Sequence, residues 1–137
     1  MQMKKAEETV LLYSFIDEQK VQRIEQVLAK QKIKCKVLAD EMYRQKIGYL
    51  LEIPGFTEMP IKEDGFVFPQ EVMIFYNIKG KRLDQVLLAL KNADIVHVKF
   101  KAVVTPFNML WTLRRLCETL QREHAATVNK EDISDEK

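Results

Sequence analysis

Apolar and polar positions follow two alternating periods along the chain. "TVLLYSF" is apolar at nearly every position from Val10 to Phe15, the pattern of a strand covered on both faces. Asp17 follows as a helix N-cap, with Ile16 and Val21 spaced as a hydrophobic staple. Val21, Ile24, Val27 and Leu28 then mark one face of a helix ending near Gln31. "IKCKVLAD" sets Ile33, Cys35 and Val37 against Lys34 and Lys36, which predicts a half-exposed edge strand. Tyr43, Ile47, Leu50 and Leu51 recur at helical spacing until Pro54-Gly55 ends the run. Gly48 inside that helix costs about 1 kcal/mol relative to Ala, so its presence points to a close approach to the sheet. Residues 54–70 hold three of the four prolines and two of the four glycines, and form the longest irregular segment, a lid or a mobile connection.

"EVMIFYNI" is the second uniformly apolar strand, from Val72 to Tyr76. Gly80 marks a turn, and Leu83, Val86, Leu87 and Leu90 give a helical stripe. "HVKFKAVVT" places Phe100, Ala102 and Val104 on one face of a fourth strand. Thr105 then reads as the cap of the last helix, with Pro106 at its first position, and Leu110, Leu113, Leu116, Cys117 and Leu120 as its apolar side. Trp111 falls on the shoulder of that stripe. Residues 1–8 read as a disordered amino terminus, 9–124 as a single α/β domain and 125–137 as a disordered acidic tail.

Strand and helix alternate four times, which predicts a mainly parallel four-stranded sheet with helices on both faces. The apolar strands belong in the middle and the alternating ones outside. Order 2-1-3-4, flavodoxin-like or Rossmann-like, satisfies this, with strands one and three running side by side in the same direction. A ferredoxin-like α+β fold, order 4-1-3-2 with the 43–53 helix inserted, also places those strands centrally. Cover on both sheet faces favours the parallel arrangement.

Charge and cysteine content narrow the function classes. The 22 basic and 20 acidic residues nearly cancel and lie interspersed, unlike the clustered cations of a nucleic-acid binder. The two cysteines are far apart, so no disulfide scaffold is expected. No apolar run approaches the roughly 20 residues of a membrane span, and the amino end has no signal-sequence pattern. A cytoplasmic protein without membrane or nucleic-acid partners is the expectation.

In a parallel sheet, ligands sit beyond the carboxyl ends of the strands, where strand order reverses. That crevice would gather Ser14, Asp17, Asn77, Lys79, Thr105, Asn108 and Trp111 as candidate ligand-binding residues. Each also has a structural reading: Asp17 and Thr105 as caps, Asn77 and Lys79 as turn residues, Trp111 as packing. Glycine-rich phosphate loops are missing from the sequence. So is zinc spacing: the only histidines are His97 and His124. No catalytic residue, metal ligand or cofactor is assigned, and whether the protein is an enzyme stays open.

The stretch "KFKAVVTPFNMLWTLRRLCETLQREH" resembles an uncharacterised family of small bacterial domain-of-unknown-function proteins. The likeness covers most of residues 9–124 and rests on Lys101-Ala102-Val103, Thr105, Asn108, Trp111-Thr112 and Glu123-His124, with Gly48-Tyr49-Leu50 and "EVMIFYNI" in support. It implies a bacterial origin and one compact α/β domain, and no activity. The resulting expectation is a non-enzymatic interaction or regulatory protein that self-associates or binds a protein partner. The alternative is a small-ligand binder or small enzyme using the strand-end crevice.

Overall fold

The computed structural model describes residues 7–61, 64–95 and 97–135, with side chains as far as 126. The described elements are β1 (Thr9–Tyr13), α1 (Glu18–Lys30), β2 (Lys34–Val37), a 3-10 turn (Asp40–Arg44) and α2 (Ile47–Leu50). After the connection come β3 (Val72–Tyr76), α3 (Lys81–Asn92), β4 (Phe100–Val103), a second 3-10 turn (Asn108–Leu110) and α4 (Leu113–Asp135). They fall into two compact units within the span read as one domain. The first comprises residues 1–40 and 67–105, the second 41–66 and 106–137. The expected frayed amino terminus lies mostly in residues 1–6, outside the described residues. Helix α4 continues into the segment read as a disordered tail, reaching Asp135; residues 136–137 lie outside the described residues.

The first unit is the sheet, in the expected order β2-β1-β3-β4. β1 pairs parallel with β2 and β3 parallel with β4. The central pair departs from expectation: β1 and β3 are antiparallel, with Leu11 opposite Ile74 at the middle of the ladder. The physical reason lies in crossover handedness. Right-handed crossovers to opposite edges of an all-parallel sheet would put α1 and α3 on opposite faces. Reversing β3 brings both helices to one face, where they share a core. Val10, Leu12, Met73 and Phe75 meet Ile24 and Leu28 of α1 and Val86 and Leu90 of α3 there. Leu11, Tyr13, Val72, Ile74 and Phe100 on the other face are also buried, and Phe68 packs on Phe100 with ring centroids 5.6 Å apart. Uniformly apolar central strands thus reflect burial of both faces, which says nothing about direction.

Asp17 caps α1 as expected, its carboxylate accepting from the Gln19 and Lys20 amides at 3.0 and 3.2 Å. The staple does not form, because Ile16 is 93% exposed. Both sheet helices end in the same way. Lys32 and Asp94 take the left-handed conformation at φ 60° and 62°. The next residues, Ile33 and Ile95, donate back to Leu28 and Leu90 at 2.9 Å. This is the Schellman closure, with a buried isoleucine sealing each end.

The second unit corrects two helix readings. The run from Tyr43 to Leu51 is interrupted: Lys46 is extended, at φ −71° and ψ 147°. There the backbone turns outward to a second segment, Ile47 N–H donating to Trp111 C=O and Leu113 N–H to Gln45 C=O, each at 2.9 Å. The last helix starts at Leu113 rather than near Thr105. Thr112 caps it, its hydroxyl accepting from the Arg115 amide at 3.1 Å. Gly48 permits a close approach of the Phe56 ring: an added Cβ would lie 2.4 Å from ring carbons.

Candidate functional site

The antiparallel centre of the sheet separates the residues expected to share one crevice. Ser14 follows β1 and Asn77 follows β3, so they lie at opposite ends of the ladder. Ser14 and Asp17 mark one end, Asn77, Lys79 and Thr105 the other. Asn108 and Trp111 belong to the second unit. Ser14 and Asn77 are both left-handed, at φ 64° and 60°, and the Ser14 hydroxyl donates to the Phe68 carbonyl. Lys79 and Thr105 are exposed, and the Lys79 carbonyl accepts from the Arg82 amide at 3.1 Å. Asn108 opens the second 3-10 turn and its carbonyl accepts from Trp111 N–H at 3.0 Å. Trp111 carries the Arg115 guanidinium 4.4 Å above its ring.

Polar groups converge elsewhere, inside the second unit. Asp64 comes from the connection between β2 and β3. Its Oδ1 accepts from the Tyr43 hydroxyl at 3.0 Å and from the Phe66 amide at 3.2 Å. Its Oδ2 accepts from Arg44 and Arg114, each at 3.1 Å. The Tyr43 hydroxyl in turn accepts from the Asp64 amide at 3.1 Å. Arg114 also lies 4.6 Å over the Phe66 ring, a cation–π contact it makes together with its hydrogen bond to the carboxylate. The Tyr43 hydrogen bond is the main cause holding the Asp64 carboxyl below the ordinary range; partial burial opposes it, and the Phe66 amide, Arg114 and Arg44 add to it.

Two open cavities flank this cluster. One, of about 380 Å³, is lined by Tyr43, Arg44, Met59, Pro60, Asp64, Thr112 and Arg114. The other, of about 370 Å³, is lined by Lys46, Pro54, Phe56, Thr57, Met59 and Leu110, among others. The first offers two guanidiniums and a phenol. The second offers Phe56, Pro54, Met59 and Leu110, with Lys46 as its one cation. Met59 lies in both and is held in place by Gln45. The fully buried Gln45 amide donates to Met59 C=O at 2.9 Å and accepts from Met59 N–H at 2.8 Å. Leu110 is 58% exposed and neighbouring Phe107 78% exposed.

Chemically, two planar cationic forks and a hydroxyl facing one point select a carboxylate or another planar oxyanion. Burial pushes both the Cys35 and Cys117 thiols up to about 12, far from the thiolate that a cysteine nucleophile needs. Among the described residues, no group of three or more His, Cys, Asp or Glu could hold a metal ion, and no helix is long and apolar enough to cross a membrane.

Sequence reasoning missed Tyr43, Arg44, Asp64 and Arg114. In sequence Tyr43 belongs to a helical apolar stripe, and the arginines look like ordinary solvated charges. Asp64 sits in a segment weighed only as a lid or a connection. The available signal was a carboxylate next to glycine, Asp64-Gly65, followed by Phe66. That is a turn able to fold an acid back toward cations.

Residues 71–126 match a protein family described as a domain of unknown function, DUF3783. The resemblance to a domain-of-unknown-function family therefore holds over the carboxyl-terminal part of the chain, which includes Trp111, Thr112 and Arg114. No curated protein and no solved structure matches the chain.

Proposed function

We propose that this protein is a non-enzymatic interaction module that binds an acidic, partly apolar segment of a protein partner in the second unit. The observation that carries this reading is the convergence of Arg44, Arg114 and the Tyr43 hydroxyl on one carboxylate at the wall of an open cavity. Asp64 acts as an internal stand-in for the partner's carboxylate. All these side chains are about one-third exposed or more, apart from the buried Tyr43, so water screens the internal pairing and an exchange of carboxylates is energetically small. The neighbouring apolar cavity, with Phe56, Met59 and Leu110, then accepts an apolar side chain and supplies the burial that the exposed ion pairs cannot.

The test is fluorescence anisotropy with labelled peptides that place Asp or Glu near Leu or Phe, set against charge-reversed versions of the same peptides. Wild type binds the acidic set and releases it as salt rises. Asp64→Asn removes the internal competitor and tightens binding severalfold; the double change Arg44→Ala, Arg114→Ala abolishes it. Equal binding of acidic and basic peptides, or binding indifferent to the arginine pair, rules the reading out.

A further inference from the structure

We infer that the chain is two copies of one module, residues 8–51 and 71–117, and that each copy presents a self-complementary surface whose partner is the other copy. The correspondence runs through every element. β1-α1-β2, a 3-10 turn and the start of α2 match β3-α3-β4, a 3-10 turn and the start of α4. Left-handed residues occur at the same two places in each copy: Ser14 and Asn77 after the first strand, Lys32 and Asp94 after the helix. Backbone bonds also repeat. Lys34 N–H donates to Glu8 C=O as Phe100 does to Glu71, and Leu38 donates to Leu12 as Val104 does to Phe75. Gln45 donates to Met42 as Trp111 does to Asn108, and Leu50 to Lys46 as Leu116 to Thr112.

The contacts between copies are reciprocal, as an isologous interface requires. In the sheet unit, Thr9 pairs with Tyr76 and its counterpart Val72 pairs with Tyr13, the counterpart of Tyr76. Lys20 of the first copy pairs with Glu71 of the second at 2.6 Å; Arg82 of the second pairs with Glu8 of the first at 2.9 Å. Within the second unit, Ile47 donates to Trp111 and Leu113 donates to Gln45, both at 2.9 Å, around the Lys46–Thr112 bridge. Chance convergence of two βαβ units accounts for a shared handedness. It does not account for ion pairs and hydrogen bonds that exchange places when the copies are exchanged. The family match begins at Glu71, the counterpart of Glu8, so the matched segment is one member of a pair. Residues 8–51 are its diverged twin, outside the match.

The test is a full-length chain in which residues 9–51 are replaced by a second copy of 72–117, leaving the connection and the carboxyl half unchanged. The expected product unfolds in one cooperative step and pairs its two copies of the second module through the duplicated β3 strands. Nuclear Overhauser contacts across an antiparallel ladder would show the pairing. A chain that folds without that pairing overturns the inference. If the mismatched cores prevent folding, amide hydrogen exchange of the wild-type protein decides. Counterpart amides (Lys34 and Phe100, Leu38 and Val104, Ile47 and Leu113) should agree within about tenfold in protection, since counterpart bonds open in the same cooperative unit. Protection confined to one copy would overturn it.

Discussion

The two halves of the chain share a backbone and differ in what they do with it. At the site the counterparts diverge. Arg44 stands where the second half has Leu110, Lys46 where it has Thr112, and Gly48 where it has Arg114. The two cavities diverge in step. Arg44, Thr112 and Arg114 line the cationic one; their counterparts Leu110 and Lys46 line the apolar one, beside Gly48 with the Phe56 ring against it. The connection breaks the equivalence. It follows the first half, and it lends Phe56 and Met59 to the apolar cavity and Met59 and Asp64 to the cationic one. Equivalence therefore resides in the core and the hydrogen-bond framework, and binding chemistry where the halves differ.

The strongest way to break that division is to cut into the matched core. Leu12→Ala and Phe75→Ala remove counterpart side chains buried to within 1% of full coverage. Losses of about 2–5 and 3–5 kcal/mol are expected in urea unfolding, with one cooperative transition in each case. A large loss on one side only would contradict the equivalence.

Next comes the point where equivalence ends. Gln45→Ala leaves the Met59 amide and carbonyl without their partners, which should lower stability by about 1–3 kcal/mol. It should also weaken peptide binding, because Met59 lines both cavities. Gln45→Ala that binds peptide normally would separate the connection from the site.

Smaller and opposite in sign are Lys32→Gly and Asp94→Gly. Both positions are left-handed at helix ends, where a side chain costs about 1 kcal/mol that glycine avoids. Each change should raise the melting temperature by a few degrees, and by similar amounts.

The pH response is the mildest test. The Asp64 carboxyl is held low, so its cluster is intact throughout the neutral range and down past the ordinary carboxylate pKa. Its contribution to stability is complete above the ordinary carboxylate pKa and is lost progressively as pH falls from there through the lowered folded value. Peptide anisotropy at constant salt should therefore be flat from pH 8 to 6. The raised thiols work the other way: their contribution is complete below the unfolded thiol pKa and is lost as pH rises toward about 12. Alkylation of Cys35 and Cys117 at pH 8 should be slow in the native protein and fast in urea.

Much of the fold was legible because its signals are local. Alternation in "IKCKV", uniform burial in "VLLY" and "VMIFY", and the stripes of α1 and α3 placed the strands, the sheet helices and the strand order. Strand direction was not legible, since Val10 to Tyr13 are buried on both faces whichever way β3 runs. The repeat was faintly visible in Tyr13 and Tyr76, Leu28 and Leu90, Ile33 and Ile95, Val37 and Val103, Leu50 and Leu116. Four extra residues before β4 shift the spacing, so no single period exposes it. The site was illegible for a different reason: Arg44, Asp64 and Arg114 are distant in sequence and meet through the tertiary bridge at Lys46 and Thr112 and the fold of the connection that carries Asp64.

The arginine side-chain resonances of the labelled protein, followed during titration with an acidic peptide, test the central claim most directly. Arg44 and Arg114 face the cavity, whereas Arg82 is committed to Glu8 and Gln31 within the matched framework. The expected result is saturable shifts of the Arg44 and Arg114 signals with Arg82 unmoved. Shifts that include Arg82 equally, or that leave Arg44 and Arg114 in place while peptide binds, would contradict it.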